Sequence, residues 1–270
     1  MDISTRVSQS IDKVRTRMYA GTQFIFWHYL DGLFNNILVT EYPKSGASWY
    51  CKMLSECTEL YLPEQYKPHK FQRSVIHGVH HNFPKNKKSI CVLRDGRDVM
   101  VSAYYYFLIK NERNKPFGVR AFRKANEFEN YEEVKSNLPD FIHYMFNDYS
   151  INLKKRRWDE FNLRFLNDPN VLFVRYEDML EDAVTVMKES MAFLQLTVPS
   201  QEKIEEVVNK YSFAKMAKRK AGEENTKSYF RKGVAGDWKN KFTPEACKVF
   251  DEYAGEALIK LGYEKDHNWY

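Results

Sequence analysis

At 270 residues the chain has room for one large domain or two small ones and buries a sizeable core without disulfides or metals. A composition of 43% hydrophobic and 29% charged residues is that of a globular chain and not of a disordered one, and four scattered cysteines (Cys51, Cys57, Cys91, Cys247) exclude a disulfide scaffold and read as buried, reduced thiols in a cytosol-like compartment. A net charge of +6 fits an anionic ligand without choosing between a nucleotide, a nucleic acid and a membrane surface. No apolar run approaches the ~20 residues of a membrane span, and Met1-Asp2-Ile3-Ser4-Thr5-Arg6 lacks an apolar signal core. The expectation is a soluble, cytoplasmic protein.

Val7, Ile11, Val14 and Met18 have helical spacing, closed by Gly21. Asn36–Tyr42 reads as a buried strand that runs through Pro43-Lys44-Ser45-Gly46 into a helix over Ser48–Leu60. Residues 61–87 look irregular, with Pro63, Pro68 and Pro84 and four histidines from His69 to His81. A second buried strand, Ser89–Leu93, leads through Arg94-Asp95-Gly96-Arg97-Asp98 into a helix over Val99–Ile109. Residues 111–130 are charged and loop-like, and 140–166 form one helical stretch. Val171–Val174 is a third strand, followed by Tyr176-Glu177-Asp178 and a helix to Leu194; another helix covers 201–210. Residues 214–243 are basic and without a clear period, and a last helix starts at Pro244 and ends at Gly262. Strands alternating with helices predict parallel βαβ units in an α/β fold, with no repeat or linker to split it, so residues 1–270 are read as a single domain.

A Gly-containing turn between a strand and a helix N-terminus suits a phosphate, because free N–H groups and the helix dipole point at it. Gly46 admits close backbone approach, Lys44 supplies a cation, Ser45 and Ser48 supply hydroxyls, and Trp49 offers a flat face for a base. The loop is not G-x-x-x-x-G-K-[ST], since Lys44 precedes its only glycine. Read alone it is equally an ordinary strand–helix turn with a surface lysine, just as Arg94–Asp98 alone reads as a salt-bridge cluster capping a helix.

Three segments together resemble the cytosolic-type sulfotransferases, which use 3′-phosphoadenosine 5′-phosphosulfate (PAPS). They are Tyr42-Pro43-Lys44-Ser45-Gly46-Ala47-Ser48-Trp49, Leu93-Arg94-Asp95-Gly96-Arg97-Asp98-Val99-Met100-Val101-Ser102 and Arg231-Lys232-Gly233-Val234-Ala235-Gly236-Asp237-Trp238-Lys239. The likeness runs from about residue 37 to 262 and implies a single α/β domain, a central parallel sheet flanked by helices, P-loop-kinase-like. It implies that Lys44, Ser45, Gly46, Ala47, Ser48 and Trp49 hold the 5′-phosphosulfate, with Lys44 acting on the bridging oxygen. Arg94 and Ser102 match the pair on the 3′-phosphate, and Arg231, Lys232 and Gly233 the segment closing over it. Trp49, Phe213 and Tyr176 resemble the residues around the adenine. His80 matches the general base, with His81 as the alternative.

The chain departs from the family at three places. Gly78 stands where a lysine precedes the catalytic histidine, leaving Lys44, Lys70 or Lys85 to carry its load; Ala47-Ser48 replaces two threonines; and Pro244 and Lys248 break the dimer motif that Lys239 and Thr243 begin. The expected protein is a monomer or weak homodimer with no metal, no nucleic-acid and no membrane partner. Its acceptor is flat and partly apolar, walled by residues drawn from Phe24, Phe26, Trp27, His28, Phe83, Tyr104, Phe107 and Tyr144, with Asp31 or Glu112 selecting a cationic acceptor instead. The competing readings are a P-loop-type nucleotide or small-molecule kinase, a donor-binding family member without catalysis, and a nucleic-acid module built on the basic stretch from Lys215 to Lys232.

Overall fold

Ile37–Glu41 (β1), Val75–Val79 (β2), Ser89–Leu93 (β3) and Val171–Arg175 (β4) pair in parallel in the order β2-β1-β3-β4. β1 and β3 lie in the centre and are buried at every position, and they read in sequence through the apolar runs Ile37–Val39 and Ile90–Leu93. The computed structural model describes residues 31–63, 72–79, 86–109, 116–149, 156–228 and 230–270. The helix expected over residues 5–20 lies outside them.

Strand alternation sends neighbouring residues of β3 to opposite faces. Cys91 and Leu93 enter one core with helices Gly96–Tyr104 (α3), Val134–Phe146 (α5), Trp158–Leu163 (α6) and Pro244–Lys260 (α10). Ile90 and Val92 enter the other with Ala47–Thr58 (α2), Tyr176–Phe193 (α7) and Gln201–Lys210 (α8). The short helices Asp31–Phe34 (α1) and Phe213–Ala217 (α9) and the helix Pro116–Ala125 (α4) are further α-helices, Tyr105–Ile109 continues α3 as a π-helix, and Asp237–Asn240 is a 3-10 turn. The expected sheet flanked by helices is present, and all four cysteines are buried free thiols.

Three expectations change. The irregular backbone predicted for 61–87 contains β2, whose apolar run is interrupted by His77 and Gly78; pairing with β1 from Ile37↔Val75 to Glu41↔Val79 supplies the order that the pattern lacks. Thr40 Oγ1 donates to the Gly78 carbonyl at 2.7 Å and pins that register. The charged stretch 111–130 contains α4. The single helix read over 140–166 is broken among the described residues: α5 ends at Phe146 before a turn at Asn147, and α6 starts at Trp158; the apolar spacing runs on because Phe141, Met145, Trp158, Phe161 and Phe165 all serve one core.

After β1 the chain crosses to β2 on one side and then to β3 on the other. That reversal opens a crevice beyond the carboxyl ends of β1 and β3, where open α/β sheets bind ligands.

Candidate active site

The loop after β1 is shaped by two left-handed residues, Lys44 at φ 77° and Gly46 at φ 104°. A side chain at Gly46 would also collide with Tyr176, whose Cδ2 would lie 2.7 Å from the added Cβ. Gly46 offers no side-chain cap to α2. The cap comes from Glu41 at the end of β1: one carboxylate oxygen accepts from the Ala47 amide at 2.9 Å and the other from His77 Nε2 at 2.9 Å. Burial pushes the Glu41 carboxyl up, but His77, the Ala47 amide and Lys44 outweigh it and hold the group below its ordinary value, so it is ionised at neutral pH. Lys44 Nζ lies over the Tyr106 ring, 4.0 Å from its centroid.

Arg94 leaves β3 into the same crevice and is only 8% exposed. Its guanidinium stacks 4.2 Å from the Tyr176 ring centroid and lies 3.7 Å from Asp98, while its Nε has no hydrogen-bond partner. Burial works against the charge, yet Tyr176, Asp98, Glu177 and Asp95 more than restore it. α3 starts where Asp95 accepts from the Arg97 amide at 2.9 Å, and its second turn carries Ser102 to the cleft.

The segment 231–238 crosses over this floor. Asp98 anchors it, with one oxygen accepting from the Gly236 amide at 2.7 Å and the other from the Trp238 amide at 2.9 Å. Asp237 pairs with both Arg231, at 2.7 Å, and Lys232. Arg231 also pairs with Glu224 and rests 4.6 Å from the Tyr105 ring centroid. Gly233, at φ 67°, presses against the Phe213 ring so closely that an added Cβ would lie 2.1 Å from it. Beyond the anchor, Arg97 sits between Trp238 and Trp269, 3.8 and 4.6 Å from their ring centroids, and pairs with Asp95 and Glu264.

Ten of the expected residues line one cleft: Lys44, Gly46, Trp49, Arg94, Ser102, Tyr176, Phe213, Arg231, Lys232 and Gly233. Trp49 is held edge-on to Tyr176 and donates its indole N–H to the Tyr211 carbonyl at 2.9 Å. Ser45 and Ala47 are buried behind the loop and Ser48 is half-buried, so none of these three side chains forms the wall. Glu41, Leu180, Tyr211, Met216, Phe230 and Val234 complete it and were not singled out from sequence. Only Glu41 carried a signal, a carboxylate inside an apolar strand that demands partners.

His80, His81, Phe24, Phe26, Trp27, His28, Phe83 and Glu112 lie outside the described residues. Tyr104 is core, donating to the Tyr131 carbonyl at 2.9 Å. Phe107 stacks on Phe122 at 4.0 Å, and Tyr144 meets Phe122 edge-on. Among the described residues no group of three potential metal ligands forms, and no helix is long and apolar enough to cross a membrane.

A switch-point crevice with a left-handed anion loop and converging arginines defines a nucleotide-phosphate-binding α/β protein. Residues 63–262 match the family model described as Sulfotransferase domain, and the chain belongs to that family; the loop around Lys44 precedes the matched span. It is similar to guinea-pig Sulfotransferase 1E1, 25% identical over 83% of this chain and 70% of the relative, and to mouse Sulfotransferase 6B1, 26% identical over 85% and 80%. Among solved structures it is similar in fold to mouse sulfotransferase SULT7A1 complexed with PAP (TM-score 0.60, 24% identity, 83% of this chain and 84% of that chain). It is also similar to retinol dehydratase in a complex with retinol and PAP (TM-score 0.55, 18% identity, 83% and 81%).

Proposed function

We propose that this chain is a PAPS-dependent sulfotransferase that moves a sulfuryl group to a hydroxyl or amine of a small, flat, partly apolar acceptor. The observation that carries the reading is convergence: Lys44, Arg94, Arg231 and Lys232, drawn from three distant segments, surround one cleft whose other wall is aromatic. The residues suit this donor. Four cations face a ligand of about −4 charge, with phosphates of about −2 each. Arg94, on the cleft wall, carries a buried Nε without a partner, and Gly46 and Gly233 let the Tyr176 and Phe213 rings close on the backbone where a Cβ would collide.

PAPS supplies the sulfuryl group and leaves as the 3′,5′-bisphosphate PAP. The loop Lys44–Trp49 holds the 5′ end through its backbone, with Ala47 and Ser48 contributing amides at the α2 N-terminus and Ser45, whose amide donates to the Tyr42 carbonyl at 3.2 Å, shaping the turn. Lys44 Nζ meets charge growing on the bridging oxygen. Arg94, Ser102, Arg231, Lys232 and Gly233 hold the 3′-phosphate, the arginines through paired N–H groups that match phosphate oxygens. Trp49, Tyr176 and Phe213 enclose the base. His80 takes the acceptor's proton, and the protein works as a monomer or weak homodimer in the cytoplasm.

The test is transfer from labelled PAPS across a library of phenols, steroid alcohols, polycyclic natural products and amines, with ATP and Mg²⁺ as a rival donor. His80→Ala is expected to lose turnover by roughly 10²–10⁴-fold, the usual worth of a general base, while PAP binding by calorimetry persists. Normal turnover by that variant removes His80 from the mechanism. Preference for ATP, or PAP binding without transfer to any acceptor, refutes the sulfotransferase reading.

A further inference from the structure

Glu41 is the one acidic side chain on the cleft wall among the described residues, and it shares the sign of the ligand's charge. Its carboxylate accepts from the Ala47 amide at the first turn of α2, the same kind of N–H that a donor phosphate would use. The second oxygen is held by His77 on β2. The charges facing it are few: Lys44 from the loop and His77 from β2, with the thiols of Cys51 on α2 and Cys91 on β3 near enough for their ionisation to be opposed by it. A buried carboxylate with a cation on one side and a helix N-terminus on the other is a resident anion in an anion site.

We propose that Glu41 is an internal competitor of the donor's 5′ anion: its carboxylate holds the Ala47 amide in the ligand-free protein, yields it when the nucleotide enters, and repels the spent nucleotide, which weakens its hold and speeds its release. This rests on the donor reading above. Two anions in one water-poor cradle repel strongly, so an uncharged side chain of the same shape there strengthens binding. His77 keeps Glu41 ionised and gives the carboxylate a partner when Ala47 is taken. The effect is confined to ligands that carry a 5′ anion. A nucleotide with only the 3′-phosphate engages Arg94, Arg231 and Lys232 and leaves Glu41 untouched.

The experiment uses the full chain and two probes, PAP and adenosine 3′-monophosphate. Glu41→Gln is expected to bind PAP on the order of tenfold more tightly than wild type, through a slower dissociation rate, from removal of one like charge at close range. Adenosine 3′-monophosphate binds both proteins equally, and Glu41→Asp, which keeps the charge, binds PAP as weakly as wild type. In wild type, the Glu41 carboxylate carbon resonance shifts on addition of PAP and not of adenosine 3′-monophosphate, a readout independent of any variant. PAP affinity in Glu41→Gln at or below the wild-type value, or a Glu41 resonance indifferent to PAP, overturns the inference and leaves the donor reading standing. A wild type that binds neither nucleotide overturns both.

Discussion

Asp98→Asn tests how the roof of the cleft is held. Asp98 is 1% exposed and presents one oxygen to the Gly236 amide and the other to the Trp238 amide. Asparagine keeps the shape but has one acceptor oxygen, so one of the two amides meets an NH₂ group instead. A hydrogen bond to a charged group contributes about 1.5–3 kcal/mol, and a buried donor left unpaired costs about 1–3 kcal/mol. Against this stands relief: burial has already pushed the Asp98 carboxyl above its ordinary value, so its charge is held there at a cost. The net expectation is a loss of about 2–3 kcal/mol, which at roughly 2–4 °C per kcal/mol for a chain of this size lowers Tm by about 4–12 °C. PAP affinity falls with it, since the arc that Asp98 pins carries Arg231, Lys232 and Gly233. Thermal unfolding by circular dichroism and PAP titration by calorimetry read the two effects. An unchanged Tm together with unchanged PAP affinity would refute the reasoning.

Gly233→Ala is expected to weaken PAP binding far more than Gly236→Ala. Both sites have positive φ, 67° and 75°, and share a backbone cost of about 1–2 kcal/mol. Only at position 233 does the new methyl meet a ring, Phe213, while at 236 nothing lies within 4 Å; equal effects in calorimetry would remove Phe213 from the binding wall. Asp237 is held at about 2, against an ordinary 3.8, because Lys232 and Arg231 overcome the upward push of burial. A depressed carboxyl contributes stability that is fully present above its unfolded value and is lost as pH falls through about 2. Asp237→Asn is therefore expected to flatten the acid limb of the stability profile between those values, and an unchanged limb in urea titrations counts against the pairing.

What could be read from sequence divides by range. The loop after β1, Arg94 and the 231–233 segment were legible because their chemistry lies in consecutive residues. β1 and β3 were legible because total burial leaves apolar runs at Ile37–Val39 and Ile90–Leu93. β2 was not, since its order comes from pairing with β1 while His77 and Gly78 spoil its pattern. α4 was hidden by its charge. The anchors of the cleft are carboxylates whose partners lie far along the chain: Asp98 meets amides 138 and 140 positions away. No local pattern announces such a pair. Glu41 closes an otherwise apolar strand, where a lone carboxylate asks for partners that the local sequence does not name.

The span from Asp98 to Gly236 and Trp238 has a kinetic consequence. Contacts between residues so distant form only after the intervening chain has been brought together, and parallel sheets with such crossovers fold slowly. The floor of the cleft belongs to β1 and β3, paired directly side by side, whereas its roof closes across just over half the chain. The amides of Gly236 and Trp238 therefore acquire protection from hydrogen exchange after those of the sheet. A nucleotide that bridges floor and roof binds only the finished state, and at a hundredfold excess over its Kd adds about 2.7 kcal/mol to it.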